Sequence, residues 1–289
     1  MRKLFSRQLI EARHEMLSIY EAIDVTLHDA VKSFVTDDKK LASKSKKQAL
    51  RIDARCANLE AVCYNLIATQ GPVASDFRLL QTIIYTNFCL QRMCDKVRRI
   101  ARAAQHKVTS DIELPAELID LVEQEAASVY KVLGTAASVL VTNDLGLLRT
   151  LNAQEEDTHG IYEEFFRAYN RMAAMQLSDD RSYDDLRRVI MASRYLDRCA
   201  QYAIDAAGRI TFLLTGQRWS AADIAGIDEE ELEGMRVPSG EGIILRPAAD
   251  ASCIAAIPAD ELTPEVVALV GQPDEDDDEE DEDDEDDLA

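Results

Sequence analysis

Residues 34–42 read FVTDDKKLA and residues 140–148 read LVTNDLGLL. Val35, Thr36, Asp38 and Leu41 align with Val141, Thr142, Asp144 and Leu147 at one constant offset of 106. The same offset carries, without a gap, LLQTIIYTNFCLQRMCDKVRRIA (79–101) onto DLRRVIMASRYLDRCAQYAIDAA (185–207). Leu80 meets Leu186, Ile84 meets Ile190, Leu90 meets Leu196 and Arg92 meets Arg198. Turn, apolar phase and motif agree at one spacing, which marks an internal repeat: one structural unit written twice.

Periodicity identifies the unit as helical. Phe5, Leu9, Ala12, Met16, Ile19, Ile23, Leu27, Ala30 and Phe34 recur at helical spacing and predict one helix from Arg2 to about Val35. TDDK stops it, and Asp37 or Asp38 suits the N-cap of another helix ending at Gly71. Pro72 fits the first turn of a third helix, whose N-terminal dipole favours Asp76 and which runs to about His106. Pro115 opens a fourth helix ending at VTND, a fifth covers about Leu145 to Met175, LSDDRS turns, and a sixth reaches Gly216. Long helices joined by short turns pack antiparallel. The expected fold is all-α: two tandem three-helix bundles, one over 1–108 and one over 109–216.

Charge divides the chain at the same boundary. The net charge of −22 resides in the segment from Gln217 onward, where Arg218, Arg236 and Arg246 are the only bases, and the body before it is neutral. Residues 217–273 read as an irregular tail with short apolar clusters able to dock. Residues 274–289 contain DEDDDEEDEDDEDD, whose self-repulsion predicts disorder. Its role is solubility or electrostatic competition for basic surfaces.

A neutral body and an acidic tail disfavour nucleic acid. No Gly-rich phosphate loop, GxSxG or HExxH occurs, against nucleotide hydrolysis and common hydrolase chemistry. The opening MRKLFSRQLIEARHEM has charges where a secretory leader needs an apolar core. No run approaches the ~18 apolar residues of a membrane span. The expected location is cytoplasmic, with membrane contact only through partners. Cys56, Cys63, Cys89, Cys94 and Cys199 fall in helical patterns, Cys253 lies in the tail, no CxxC occurs, and the cysteines read as reduced and mostly buried. Glu11–His14 and Glu156–His159 are both Glu-x-x-His, as in di-iron bundles, but they fall at non-equivalent places in the repeat and His14 lies off the apolar stripe. His28 and His106 read as surface without local partners, and SKSKK (43–47) as a solvated helix face.

Four stretches resemble the PhoU family of phosphate-signalling proteins: MRKLFSRQLIEARHEML, LIATQGPVASDFRLL, LQRMCDKVRRIA and YLDRCAQYAIDAA. LIATQGPVASDFRLL is similar to the family's junction between helices two and three. LQRMCDKVRRIA and YLDRCAQYAIDAA stand where the family repeats Leu-Glu-Arg-x-x-Asp-His-x-x-Asn-Ile-Ala. The resemblance spans residues 1–216. It implies that the two three-helix bundles are related by a pseudo-twofold, and it implies a non-enzymatic regulator of phosphate uptake and phosphate-starvation signalling. Its partners would be the ATPase subunit of a Pst-type phosphate ABC transporter, a PhoR-type sensor histidine kinase, or another copy of itself. The alternatives are an accessory subunit of another phosphate transporter and a metal-dependent helical-bundle enzyme.

Some family members hold iron or zinc through E/DxxxD motifs, whose acids share one helix face. Here the two motifs read Gln91/Asp95 and Asp197/Gln201, so each keeps one carboxylate. Lys96, Arg98 and Arg99 add positive charge beside Asp95. Asp95 and Asp197 are the candidate ligands, with iron or zinc disfavoured. Gln91, Lys96 and Arg99 on one helix, and Gln201 and Asp205 on the other, are the candidate partner contacts. Arg92 and Arg198 recur within apolar helices, which suits either an ion pair (Asp95 or a helix-one acid for Arg92) or contact with a partner or anion.

Overall fold

A computed structural model describes residues 2–105, 116–176 and 180–235. Among them are nine helices: α1 (Arg2–Thr36), α2 (Lys39–Gln70), α3 (Ala74–Gln105), α4 (Ala116–Thr142), α5 (Leu147–Gln176), α6 (Asp180–Gly208), α7 (Ile210–Thr215), α8 (Ala221–Ala225) and α9 (Glu229–Gly234). The described residues contain no strand. His106, Pro115, Cys253, most of the 217–273 tail and all of 274–289 lie outside them.

The repeated turn has a repeated backbone. Asp37 and Asn143, counterparts at the offset, both hold φ at +58°. This left-handed conformation suits Asn and Asp better than other side chains. Asp38 Oδ1 accepts from the Lys40 and Leu41 amides at 3.0 Å, capping α2. Asp144 Oδ1 accepts from the Gly146 amide at 2.8 Å. Gly71 ends α2 with φ at +56°. Pro72 stands two residues before α3 rather than in its first turn, because Ala74 takes φ of +47° and delays the helix.

Helices α1, α2 and α3 pack mutually, as do α4, α5 and α6. Each helix buries one apolar stripe: Leu9, Ile19, Ile23 and Leu27 of α1 are fully buried, as the periodicity predicts. Each such side chain contributes about 1.5–3 kcal/mol of transfer free energy. Between the bundles α3 packs on α6 and α1 on α4, so these two helices each meet their own counterpart. A twofold produces that pairing. The axis is marked by Cys199 Sγ reaching Met93 O at 4.0 Å, since those residues stand 106 apart and are each other's counterpart. Across the same seam Tyr20 donates to Leu133 O at 2.9 Å, and Arg13 donates to Leu140 O and Val141 O at the end of α4.

Three local expectations change. The expected sixth helix breaks near Gly208 into α6 and α7, where Arg209 N donates to Ala206 O and Thr211 Oγ1 accepts from Trp219 N. At LSDDRS, where a turn is expected, α6 already begins at Asp180, and 177–179 lie outside the described residues. His28 is exposed but partnered: its ring stacks on Tyr130 at 3.5 Å across the bundle seam, and Nε2 lies 4.0 Å from Asp24. Beyond Gly216, Ser220 forms a capping box with Asp223, and α8 packs on α5 with Ala221 and Ile224 buried. Arg78, from the junction stretch, donates to Leu213 O at 3.2 Å and ties α3 to α7.

Candidate functional site

The repeated motif lies on α3 and α6, and the repeat therefore makes two equivalent grooves, α2/α3 and α5/α6. In the first, Leu50, Asp53, Phe88, Gln91, Arg92, Asp95 and Arg98 surround a hollow of about 320 Å³ floored by Ala49 and Cys94. Gln91 donates to Asp53 at 3.1 Å, and Cys94 Sγ donates to Ala49 O at 3.0 Å, which sets the two helices in register. Asp95 accepts from Lys96, Arg98 and Arg99 at 2.9 to 3.1 Å. Burial alone would raise the Asp95 carboxyl, but these three cations outweigh it and hold it at about 2. Arg92 forms no ion pair among the described residues. Its guanidinium lies 5.1 Å from the Phe88 ring centroid, so the expected pairing with Asp95 gives way to a cation–π contact.

The α5/α6 groove has the opposite electrostatics. Asp197 is 9% exposed, and Gln201 donates to its Oδ2 at 3.3 Å. Arg198 donates to Gln201 Oε1. Behind them Glu125 of α4 is fully buried, accepts from Ser193 Oγ, and leaves Oε1 without a partner among the described residues. Burial drives the Glu125 carboxyl well above its ordinary range; the Ser193 bond lowers it and Asp197 raises it further. Burial also raises Asp197 and Asp205, and burial with Asp205 and Asp197 raises Glu155 against the pull of His159. One groove thus holds its acid charged, and the other presses its acids toward the neutral form.

The PhoU domain matches residues 16–104, the body of the first bundle. A phosphate-specific transport system accessory protein PhoU homolog of Pseudomonas aeruginosa is 24% identical over 73% of this chain and 86% of its own length. Another relative, PhoU homolog 1 of Methanothermobacter thermautotrophicus, is 24% identical over 75% of this chain and 97% of its own. The crystal structure of PhoU from Pseudomonas aeruginosa superposes with TM-score 0.68 at 22% identity, covering 74% of this chain and all of that one. The structure of the phosphate transport system regulatory protein PhoU from Streptococcus pneumoniae gives 0.67 at 18% identity, over 75% of this chain and 99% of its own.

Residues 16–104 match the PhoU domain, and the chain shares the fold of the PhoU structures.

Within this PhoU fold the candidate residues fall into separate places. Gln91 lines the first groove, whereas Lys96 is 18% exposed and turned toward α6, 5.9 Å from the Tyr195 ring. The candidate contacts on α3 therefore do not form one stripe: 91, 95 and 99 share a face, and 96 lies about 140 degrees round from 91. Asp95 and Asp197 stand on counterpart helices in different grooves.

Neither groove is arranged for the metal that the family resemblance brings. Both Asp95 oxygens are taken by cations, and Asp53 is held by Gln91. His159 is paired with Glu163 at 3.6 Å. No group of three or more His, Cys, Asp or Glu side chains converges among the described residues. Neither Glu125 nor the Leu50–Phe88 lip belongs to a motif, because each sits inside an ordinary helical pattern. The register shows them: Glu125 occupies the position of Ile19, and Leu50 and Phe88 those of Glu156 and Arg194.

Proposed function

We propose that this protein is a non-enzymatic regulator of phosphate transport, of the PhoU kind, that acts by protein contact. Its partner would be a phosphate ABC transporter, through its ATPase subunit, and the effect would extend to a PhoR-type sensor kinase and the starvation response. The observation that carries this reading is the similarity to phosphate-specific transport accessory proteins along 86% or more of their length. The two bundles supply what an adaptor needs: two related faces of opposite charge on one frame. Among the described residues no helix is long and apolar enough to cross a membrane. Action would run through partners, from the cytoplasmic side.

Deletion of the gene should raise phosphate uptake and phosphatase expression in phosphate-rich medium, and the full chain should restore both. Unchanged uptake and unchanged phosphatase in the deletion strain would overturn the reading. Metal has no role in it. Protein purified without a tag should carry well under one equivalent of iron or zinc, and stoichiometric, chelator-resistant metal would return Asp95 and Asp197 to the role of ligands.

A further inference from the structure

We infer that the α2/α3 groove of the first bundle is the docking site for an acidic partner segment bearing an apolar side chain, an inference that rests on the contact-regulator reading above. Three observations converge on it. The groove's own acids are committed: Asp53 accepts from Gln91, and Asp95 is shared by three cations. The lining sets Arg92 and Arg98 against Asp53 and Asp95, and the positive excess comes from the rim beyond it, beginning with Arg99; Arg92 meets no described carboxylate, and Arg98 and Arg99 are each 42% or more exposed. Lys46, one turn before Leu50 on the same helix face, extends the positive rim.

Apolar exposure adds to this. Leu50 and Phe88 are each 47% exposed on opposite lips of the hollow. Its volume of about 320 Å³ accommodates a large apolar side chain rather than a whole helix. Paired apolar anchors ringed by charge are the layout of a short-segment recognition site.

The internal comparison completes the set. Where the first groove has Leu50, Phe88 and Arg98, the other has Glu156, Arg194 and Ile204, the last only 6% exposed. The apolar lip, Arg98 and Arg99 belong to one copy only, whereas Arg92 recurs as Arg198. The repeat itself therefore does not require them, and charge complementarity selects an acidic occupant.

The test uses the full chain and a fluorescein-labelled synthetic helical peptide in which glutamates flank a Leu-Phe pair, followed by fluorescence anisotropy at several sodium chloride concentrations. Wild type should bind saturably, more weakly as salt rises. Arg92→Glu with Arg98→Glu should weaken binding about tenfold or more and flatten the salt dependence. Phe88→Ala should weaken it several-fold and leave the salt dependence intact. All three positions are exposed, so helicity by circular dichroism should match wild type. Arg7→Glu with Arg171→Glu, an equal charge change on exposed faces of α1 and α5, should leave binding unchanged. Absence of saturable binding, equal binding by the Arg92/Arg98 variant, or equal loss in the Arg7/Arg171 variant would each overturn the inference. The peptide reads the groove alone, and uptake in the deletion strain reads the transport role alone. Normal complementation by a chain whose groove binds nothing would remove the groove and leave the regulator.

Discussion

The first bundle buries neutral polar groups such as Asn87 but no described carboxyl; the other admits a carboxyl to its centre. At one register position α1 carries Ile19 and α4 carries Glu125, both fully buried. Beside Glu125 the C-terminal bundle adds the Ser128–Thr158 hydroxyl pair at 2.8 Å, where the first has Ala22 and Ile52. A shared backbone thus tolerates opposite solutions at the same level, provided each buried polar group finds a partner. The cost appears as pH dependence, and it differs in sign between the two grooves.

The most severe test is to write the polar solution into the first bundle. Ile19→Glu should cost about 3 kcal/mol or more in urea unfolding. The counterpart of Ser193 is Asn87, one of whose two amide hydrogens is committed to Cys56 O at 2.8 Å, so the first bundle holds no hydroxyl at that position to receive the acid. A cost below about 1 kcal/mol would show the two cores to be interchangeable. The reverse change is milder. Glu125 has a folded pKa raised above its unfolded value, so its contribution is fully present below about pH 4.5 and is lost as pH rises through the folded value. Glu125→Gln should therefore flatten the decline in stability from pH 5 to 8 and gain about 1–2 kcal/mol at the upper end. A variant as pH-sensitive as wild type would place the titration elsewhere.

Smaller effects probe the seam and the first groove. Tyr20 bridges to Leu133 O, and its counterpart Ala126 has no side-chain donor to make such a bond. Tyr20→Phe should cost about 1 kcal/mol, read by thermal melting. Asp95 has the opposite sign to Glu125: its depressed pKa stabilises above about pH 4, and the gain is lost as pH falls toward 2. Asp95→Asn should remove under about 1 kcal/mol of acid sensitivity, the side chain being partly screened by solvent. Identical acid unfolding curves for variant and wild type would deny the three-cation arrangement any energetic weight.

The helices and their pairing were legible because long apolar stripes at helical spacing leave few alternatives, and because the offset carried turn, stripe and motif together. Helix ends were less so: the break at Gly208 depends on Thr211 receiving the returning Trp219 amide, a contact invisible to local pattern. At the candidate site the sequence identified α3 and α6 but not the sides their residues take. Lys96 reads as one more basic residue of the motif, and its turn toward Tyr195 is decided by how α3 crosses α6. Arg92 reads as half of an ion pair, yet Asp95 is already surrounded by three other cations, and Phe88 is the available partner. Glu125 belongs to no motif, and only the 106 offset, which sets it at Ile19 of the apolar stripe, points to the interior place that the packing gives it.

The contact between Met93 and Cys199 places a residue against its own counterpart, the arrangement found at the centre of a two-subunit assembly of identical chains. Two identical subunits must change together: a substitution that made one groove basic would make the other basic too. Joining both copies in one polypeptide lifts that restriction, and it also holds them at an effective concentration in the millimolar range or above without any demand on expression level. The fused pair can then offer a cationic face and an acidic face in a fixed one-to-one ratio, so a partner meets a polarised object with a defined heading rather than a symmetric one.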